Sequence, residues 1–212
     1  MATVVTGNQE GVDRARELLT IAPGEVAGLV GPPGLGLTRV GLRMLADHAK
    51  VGMVACLDVR GWISPTAVWE LGIDPGRFVI VRCGDPVQWG RVTATLLDGM
   101  AALYAEVPRG VKDARLRTLG ALARSRRTPL LLRPVRRDLP SGVAQLRLDA
   151  HDVMWEGTDA GHGRLALRRL ELLATGKAVK GMSTRIEVED DGTHAVRLVS
   201  RLATTQTGIA VG

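Results

Sequence analysis

A glycine-rich stretch, Gly31-Pro-Pro-Gly-Leu-Gly-Leu-Thr38, has the spacing of a phosphate-binding loop except at one position. In the pattern G-x-x-x-x-G-K-[ST], backbone N–H groups and the start of the following helix cradle phosphates. Gly31, Gly36 and Thr38 fall in register, and Gly34 adds a further glycine to the loop. The lysine position, which would contact the β- and γ-phosphates, holds Leu37. Three readings of the stretch remain open: a turn kept for tight strand–helix packing, a vestigial loop of Gly31, Gly34, Gly36, Leu37 and Thr38 that binds nucleotide weakly, or a loop still competent for hydrolysis. No residue of the stretch itself is a catalytic candidate.

Other residues with chemical potential are fewer. Arg124, Arg126, Arg127, Arg133, Arg136 and Arg137 form a basic cluster around one apolar segment. Arg126, Arg127, Arg133, Arg136 and Arg137 are candidate contacts to nucleic acid or to an acidic partner; a solvated basic face explains them equally well. Arg164, Arg168 and Arg169 invite the same two readings. His48, His151, His162 and His194 show no ligand spacing with Cys56 and Cys83, so no metal site is expected. Both cysteines sit in apolar strand-like surroundings and read as reduced core residues of a cytosolic protein. Trp62 and Trp69 read as core or interface aromatics, one of which could cover the glycine loop. No serine elbow and no Cys–His pair suggests a nucleophile.

The elements that position these residues follow from the apolar pattern. Glu25–Val30, Val51–Val59, Arg77–Arg82, Ala101–Val107 and Pro129–Val135 read as buried strands. Helical segments alternate with them at Thr38–Lys50, Pro65–Leu71, Gln88–Met100 and Asp113–Arg126, and a short helix is expected over Asn8–Thr20. This alternation predicts an α/β fold with a mainly parallel central sheet. From Val143 onward strands dominate: Gln145–Trp155, Leu165–Leu173, Thr184–Glu189 and His194–Val199, with Asp191-Gly192 as a hairpin turn. They are expected to extend the sheet with antiparallel strands at its C-terminal edge. The chain divides into an N-terminal helix or arm (1–20), a core domain (21–200) and a loose tail (201–212).

Composition fits one globular domain. The 212 residues are 45% hydrophobic and 24% charged, which argues against disorder. Aromatics make up only 3%, so the core must rest on Leu, Val, Ile and Ala. A net charge of +6 permits nucleic-acid or acidic partners without requiring them. No apolar run approaches the ~18 residues of a membrane span.

The run from Gly24 through Val30 to Thr38 resembles the first strand and phosphate loop of RecA-type recombinases. Val54-Ala-Cys-Leu-Asp-Val-Arg-Gly-Trp-Ile-Ser-Pro65 and Leu71-Gly-Ile-Asp-Pro-Gly-Arg-Phe-Val-Ile-Val-Arg82 resemble the segments that follow. The resemblance runs from about Glu17 to Arg137, and more loosely to Val199; it implies a RecA-like P-loop fold. The departures are specific. Where the family carries its catalytic glutamate this chain has Arg60, which stays protonated and cannot act as a base. The metal-holding acid at the end of the fourth strand is represented only by Glu106, with Asp98 as an earlier candidate, and the γ-phosphate sensor region reads Leu130-Leu-Leu-Arg-Pro134. The DNA-binding loops are reduced to Pro108–Asp113 and Arg136–Gly142.

This reduced pattern, with Trp155-Glu-Gly157 and the run from Gly161 to Leu170, is similar to the ImuA group of bacterial SOS mutagenesis. The resemblance implies a cytoplasmic, nucleoid-associated adaptor and pseudo-ATPase without a cofactor. Its partner would be an ImuB-type inactive Y-family polymerase homologue and, through it, an error-prone C-family polymerase and the sliding clamp. RecA or single-stranded DNA are further partners that the resemblance suggests. An ATP-binding switch or weak ATPase, a basic DNA-binding module and a cell-division inhibitor on the same scaffold are the alternatives.

Overall fold

The computed structural model describes residues 16–135, 138–157 and 166–191, with the backbone of 196–199 and 204–205. Four short apolar segments form its centre: β1 (Val26–Val30), β2 (Val54–Asp58), β4 (Ala102–Val107) and β5 (Leu130–Pro134). Nearly every residue in them is buried, as expected for parallel strands covered on both faces. β3 (Phe78–Arg82) forms one edge of the sheet and is only half-buried. The strand order is β10-β8-β7-β6-β1-β5-β4-β2-β3, and β9 also pairs with β8. β6 (Leu146–Glu156) is parallel to β1 but antiparallel to β7 (Leu167–Gly176), so the sheet changes sense there. β8 (Ser183–Asp190), β9 (Val196–Val199) and β10 (Thr204–Thr205) continue the antiparallel part.

Helices cover both faces, with successive strand residues pointing to opposite layers. On one face α1 (Leu37–Leu45) and α2 (Pro65–Trp69) pack over Ala27, Leu29, Cys56, Tyr104 and Leu131. On the other α3 (Pro86–Gly99) and α4 (Asp113–Arg126) pack over Val26, Ala55, Leu57, Leu103 and Leu130. α3 starts cleanly because Pro86 occupies its first turn and the Asp85 carboxylate accepts the Gln88 N–H at 2.7 Å. In the antiparallel strands burial alternates: Leu170, Leu172 and Ala174 of β7 and Ile186 and Val188 of β8 face the α1 layer.

The mainly parallel sheet with an antiparallel C-terminal edge matches the sequence expectation; several boundaries differ. The helix after the loop stops at Leu45 and tightens into a 3₁₀ turn at His48–Lys50, where His48 Nε2 donates to the Ile21 carbonyl at 2.9 Å. β7 runs on to Gly176, whose φ of 106° places it where only glycine fits, since a Cβ would strike the Gln145 carbonyl oxygen. The tail is not wholly irregular, because Thr204–Thr205 pairs with Ser183–Thr184 on the sheet edge. Two residues carry no periodicity by which to be recognised. β8 and β9 do pair, but Gly192 lies outside the described residues, as does most of the expected N-terminal helix. Cys56 is buried and Cys83 half-buried, and both are free thiols. Among the described residues no helix is long and apolar enough to cross a membrane.

Gly41, inside α1, sets the close approach of this helix to the sheet. A Cβ there would come within 2.6 Å of Leu131 Cδ2 and Tyr104 Cε2 and 2.7 Å of Leu29 Cδ1. Helix propensity alone favours alanine by about 1 kcal/mol, but overpacking three buried side chains costs about 1–3 kcal/mol. Gly41→Ala should therefore lower stability in urea unfolding. A net gain would show that α1 is not seated as described.

Candidate functional site

The carboxyl ends of β1, β2, β4 and β5 bring the chemically informative residues together. β1 leads into the glycine loop, where Gly31, Gly34 and Gly36 take φ of 149°, 93° and 77°. Gly36 caps α1 in the left-handed region. Its missing Cβ also makes room for a neighbour, because a Cβ there would collide with the Arg168 guanidinium. Arg168, from β7, pairs with Asp190 at 2.6 Å, and Arg39 Nε lies 2.8 Å from the same carboxylate. Arg39 also reaches Glu70 at 3.1 Å. The start of α1 is thereby tied both to α2 and to the antiparallel strands.

At the lysine position the side chain is turned inward. Leu37 is only 1% exposed and belongs to the core, and a Cβ on Gly31 would sit 3.1 Å from its Cδ1. The Thr38 hydroxyl accepts from the Tyr104 phenol at 3.5 Å, and burial pushes that phenol well above its ordinary pKa.

Glu106, at the end of β4, is 0% exposed. Its Oε2 accepts the backbone N–H groups of Val59 at 3.0 Å and Arg60 at 3.1 Å. Its Oε1 accepts Nε of Arg60 at 2.9 Å and also Nη2 of the same guanidinium. A carboxylate offers about four acceptor positions, and all are in use. The neighbouring Asp58, 1% exposed, accepts N–H groups from Gly61 at 2.8 Å, Trp62 at 3.1 Å and Ile63 at 3.1 Å. These two acids fold the β2–α2 connection back over the strand ends. The Arg60 guanidinium then lies 4.5 Å from the centre of the Trp62 ring.

Arg133 fills the space beneath the loop. It is 3% exposed and donates from Nη1 to Gly31 O at 2.9 Å and from Nη2 to Pro32 O at 3.3 Å. A weaker contact reaches Leu29 O at 3.4 Å. Desolvation pulls its guanidinium pKa down from the ordinary value, although carbonyl acceptors surround it. Two cavities flank this assembly and share Pro33, Arg60 and Trp62: one of about 300 Å³ between the loop and α2, and an open one of about 700 Å³ on the other side.

Gly31, Gly34, Gly36, Leu37 and Thr38 lie in one turn between β1 and α1, whereas Arg126, Arg127 and Arg133, the described members of the basic cluster, do not lie together. Arg133 is sealed under the loop. Arg126 pairs with Asp98 at 2.6 Å, and Arg127 caps α4 with φ 57°, both at the opposite end of β5. Arg136, Arg137 and Arg164 lie outside the described residues. Of the two candidate strand-end acids, Glu106 stands at the carboxyl end of β4 against the β2–α2 connection, and Asp98 pairs with Arg126 at the other end of the sheet. Trp62 and Trp69 are each 67% exposed rather than core residues. His151 falls at a bulge in β6, and no group of three or more metal-binding side chains occurs among the described residues. The partnership of Arg60 with Glu106, and of Arg168 and Arg39 with Asp190, went unread in the sequence. The only signal was opposite charges at the ends of strands whose adjacency the sequence leaves open.

The buried pair makes a measurable prediction. Arg60→Met leaves the Glu106 charge buried without its cation and should cost about 3–5 kcal/mol. Glu106→Gln keeps a carbonyl acceptor for the Val59 and Arg60 N–H groups, so adding it to Arg60→Met should recover much of that loss. Strictly additive losses in a double-mutant cycle would contradict the coupling.

Comparison with known proteins agrees with this architecture. A family model described as the MT3502 N-terminal domain matches residues 38–137, just under half of the chain. No curated protein sequence matches the chain. Among solved structures the chain is similar to that of the RadB recombinase, with a TM-score of 0.53 and 19% identity. The match covers 78% of this chain and 88% of that one. At such identity the likeness is one of fold, and the chain has the RecA-like α/β fold.

Proposed function

We propose that this chain is a non-catalytic RecA-like adaptor of DNA-damage-induced translesion synthesis, binding an ImuB-type Y-family polymerase homologue. The observation that carries the non-catalytic half is the saturation of Glu106: Val59 N–H, Arg60 N–H and the Arg60 guanidinium use its acceptor positions. A magnesium nucleotide does not fit this donor set as arranged. The carboxylate has no lone pair to offer, the lysine position is a core leucine, and Arg133 is committed to the loop carbonyls. The partner rests on the sequence resemblance to the ImuA group, with which a scaffold lacking free catalytic groups is consistent.

Co-expression with the ImuB-type protein of the same genome should give a stoichiometric complex on gel filtration. Two folded proteins that elute separately would remove the adaptor reading. Calorimetry with millimolar Mg-ATP should give no binding heat, for the wild type and for Leu37→Lys alike, because restoring the lysine frees neither Glu106 nor Arg133. Saturable binding by the wild type would favour an ATP-responsive switch instead.

A further inference from the structure

We propose that β3, the free edge of the sheet, pairs with β3 of a second copy of this chain, antiparallel about a two-fold axis at Ile80. The dimer uses no residue of the glycine loop and does not depend on the adaptor reading.

Among the described strands β3 pairs with β2 alone, so alternate residues turn their N–H and C=O groups outward. Proteins blunt such edges with charge, proline, a bulge or brevity. The opposite edge follows that rule, since β10 is only two threonines long. β3 does not. Phe78-Val-Ile-Val81 is an uninterrupted apolar run in continuous register with β2, and Arg82 stands only at its end. Arg77, at the other end, is drawn back onto the turn before β2, where its Nη1 donates to the Lys50 carbonyl at 2.8 Å and the Ala49 carbonyl at 3.4 Å. Large apolar side chains left in water gather on the segments around this edge. Val51 and Met53 precede β2, Trp69 ends α2 and Val87 opens α3, and all four are exposed. Apolar exposure concentrated in this way marks an association surface.

The pattern of the strand selects the occupant. In an antiparallel pair centred on Ile80, Phe78 stands opposite its partner's Arg82, Val79 opposite its partner's Val81, and Ile80 opposite its own copy. Opposed residues share a face, and each pairing is matched. A guanidinium meets an aromatic ring at two symmetric places, and aliphatic meets aliphatic between them. Phe78 and Ile80 already pack into the α1–α2 layer and Val81 into the α3–α4 layer, so both apolar layers continue across the axis. Residues paired in this register have the same parity, so outward N–H and C=O groups meet whichever alternate set faces out. The last strands of the chain do not cover β3, because β9 and β10 pair with β8 on the far side of the sheet. A two-fold pairing of one patch with itself closes at two copies.

Sedimentation equilibrium of the intact chain across micromolar concentrations should show a mass that rises from 22.6 kDa to twice that value and stops there. Arg82→Glu changes an exposed residue, removes both guanidinium–ring contacts and should raise the dissociation constant about tenfold. In a Cys83→Ser background, Ile80→Cys should crosslink under mild oxidation, because residues opposed on the axis lie within disulfide reach. Arg82→Cys should not, because the two copies of that residue stand at opposite ends of the paired strands. A chain that stays at 22.6 kDa, or a mass that climbs past the dimer, would overturn the pairing. So would a dimer that Arg82→Glu leaves intact and Ile80→Cys fails to crosslink.

Discussion

A carboxylate sealed inside a parallel sheet must find its partners within the protein, and the response to Glu106 shapes this face of the molecule. The guanidinium of Arg60 and two consecutive backbone N–H groups converge on it. The convergence bends the β2–α2 connection inward, and Asp58 fixes the next turn through Gly61, Trp62 and Ile63. The position of Trp62 follows, and Trp62 with Arg60 borders both cavities. Burying such a pair adds little net stability, because desolvation offsets most of the attraction. Its consequence is conformational: either charge alone would be costly, so the loop has one well-satisfied arrangement.

The glycine loop is held in the same manner from two sides. Arg133 supports the carbonyls of Gly31 and Pro32 from within, and Arg168 lies against Gly36 from the antiparallel strands. Burial lowers the pKa of both guanidinium groups from its ordinary value. The resulting face carries fixed charge that is largely neutralised internally. A loop with a buried leucine at position 37, and with the Gly31 and Pro32 carbonyls engaged by Arg133, has a fixed conformation.

The fold was legible in the sequence because the strands are short uninterrupted apolar runs and the helices carry their own boundary signals, such as Asp85-Pro86 at the start of α3 and Gly72 after α2. The glycine loop was legible for the same reason, since its spacing alone places Gly31, Gly36 and Thr38. What the sequence concealed was pairing at a distance. Arg60 and Glu106 are separated by a helix, a strand and another helix, and they meet only because β2 and β4 are neighbours. Arg133 looked like one of several surface arginines because five residues along a strand separate the two ends of a sheet. Periodicity does not say which end a charge serves. Residue type marks Trp62 as a core or interface aromatic; its exposure, which excludes the core, follows from the turn that Asp58 imposes.

The proposal that this chain holds no nucleotide rests on Arg60 engaging Glu106 and on Arg133 engaging the carbonyls of Gly31 and Pro32. Its most direct test is a crystal structure grown with millimolar Mg²⁺ and a non-hydrolysable ATP analogue. The account predicts Arg60 still bridging Glu106, Arg133 still beneath Gly31 and Pro32, and no analogue in the loop. Glu106 turned away from Arg60 toward a metal ion, with phosphates seated between Gly34 and Thr38, would contradict it.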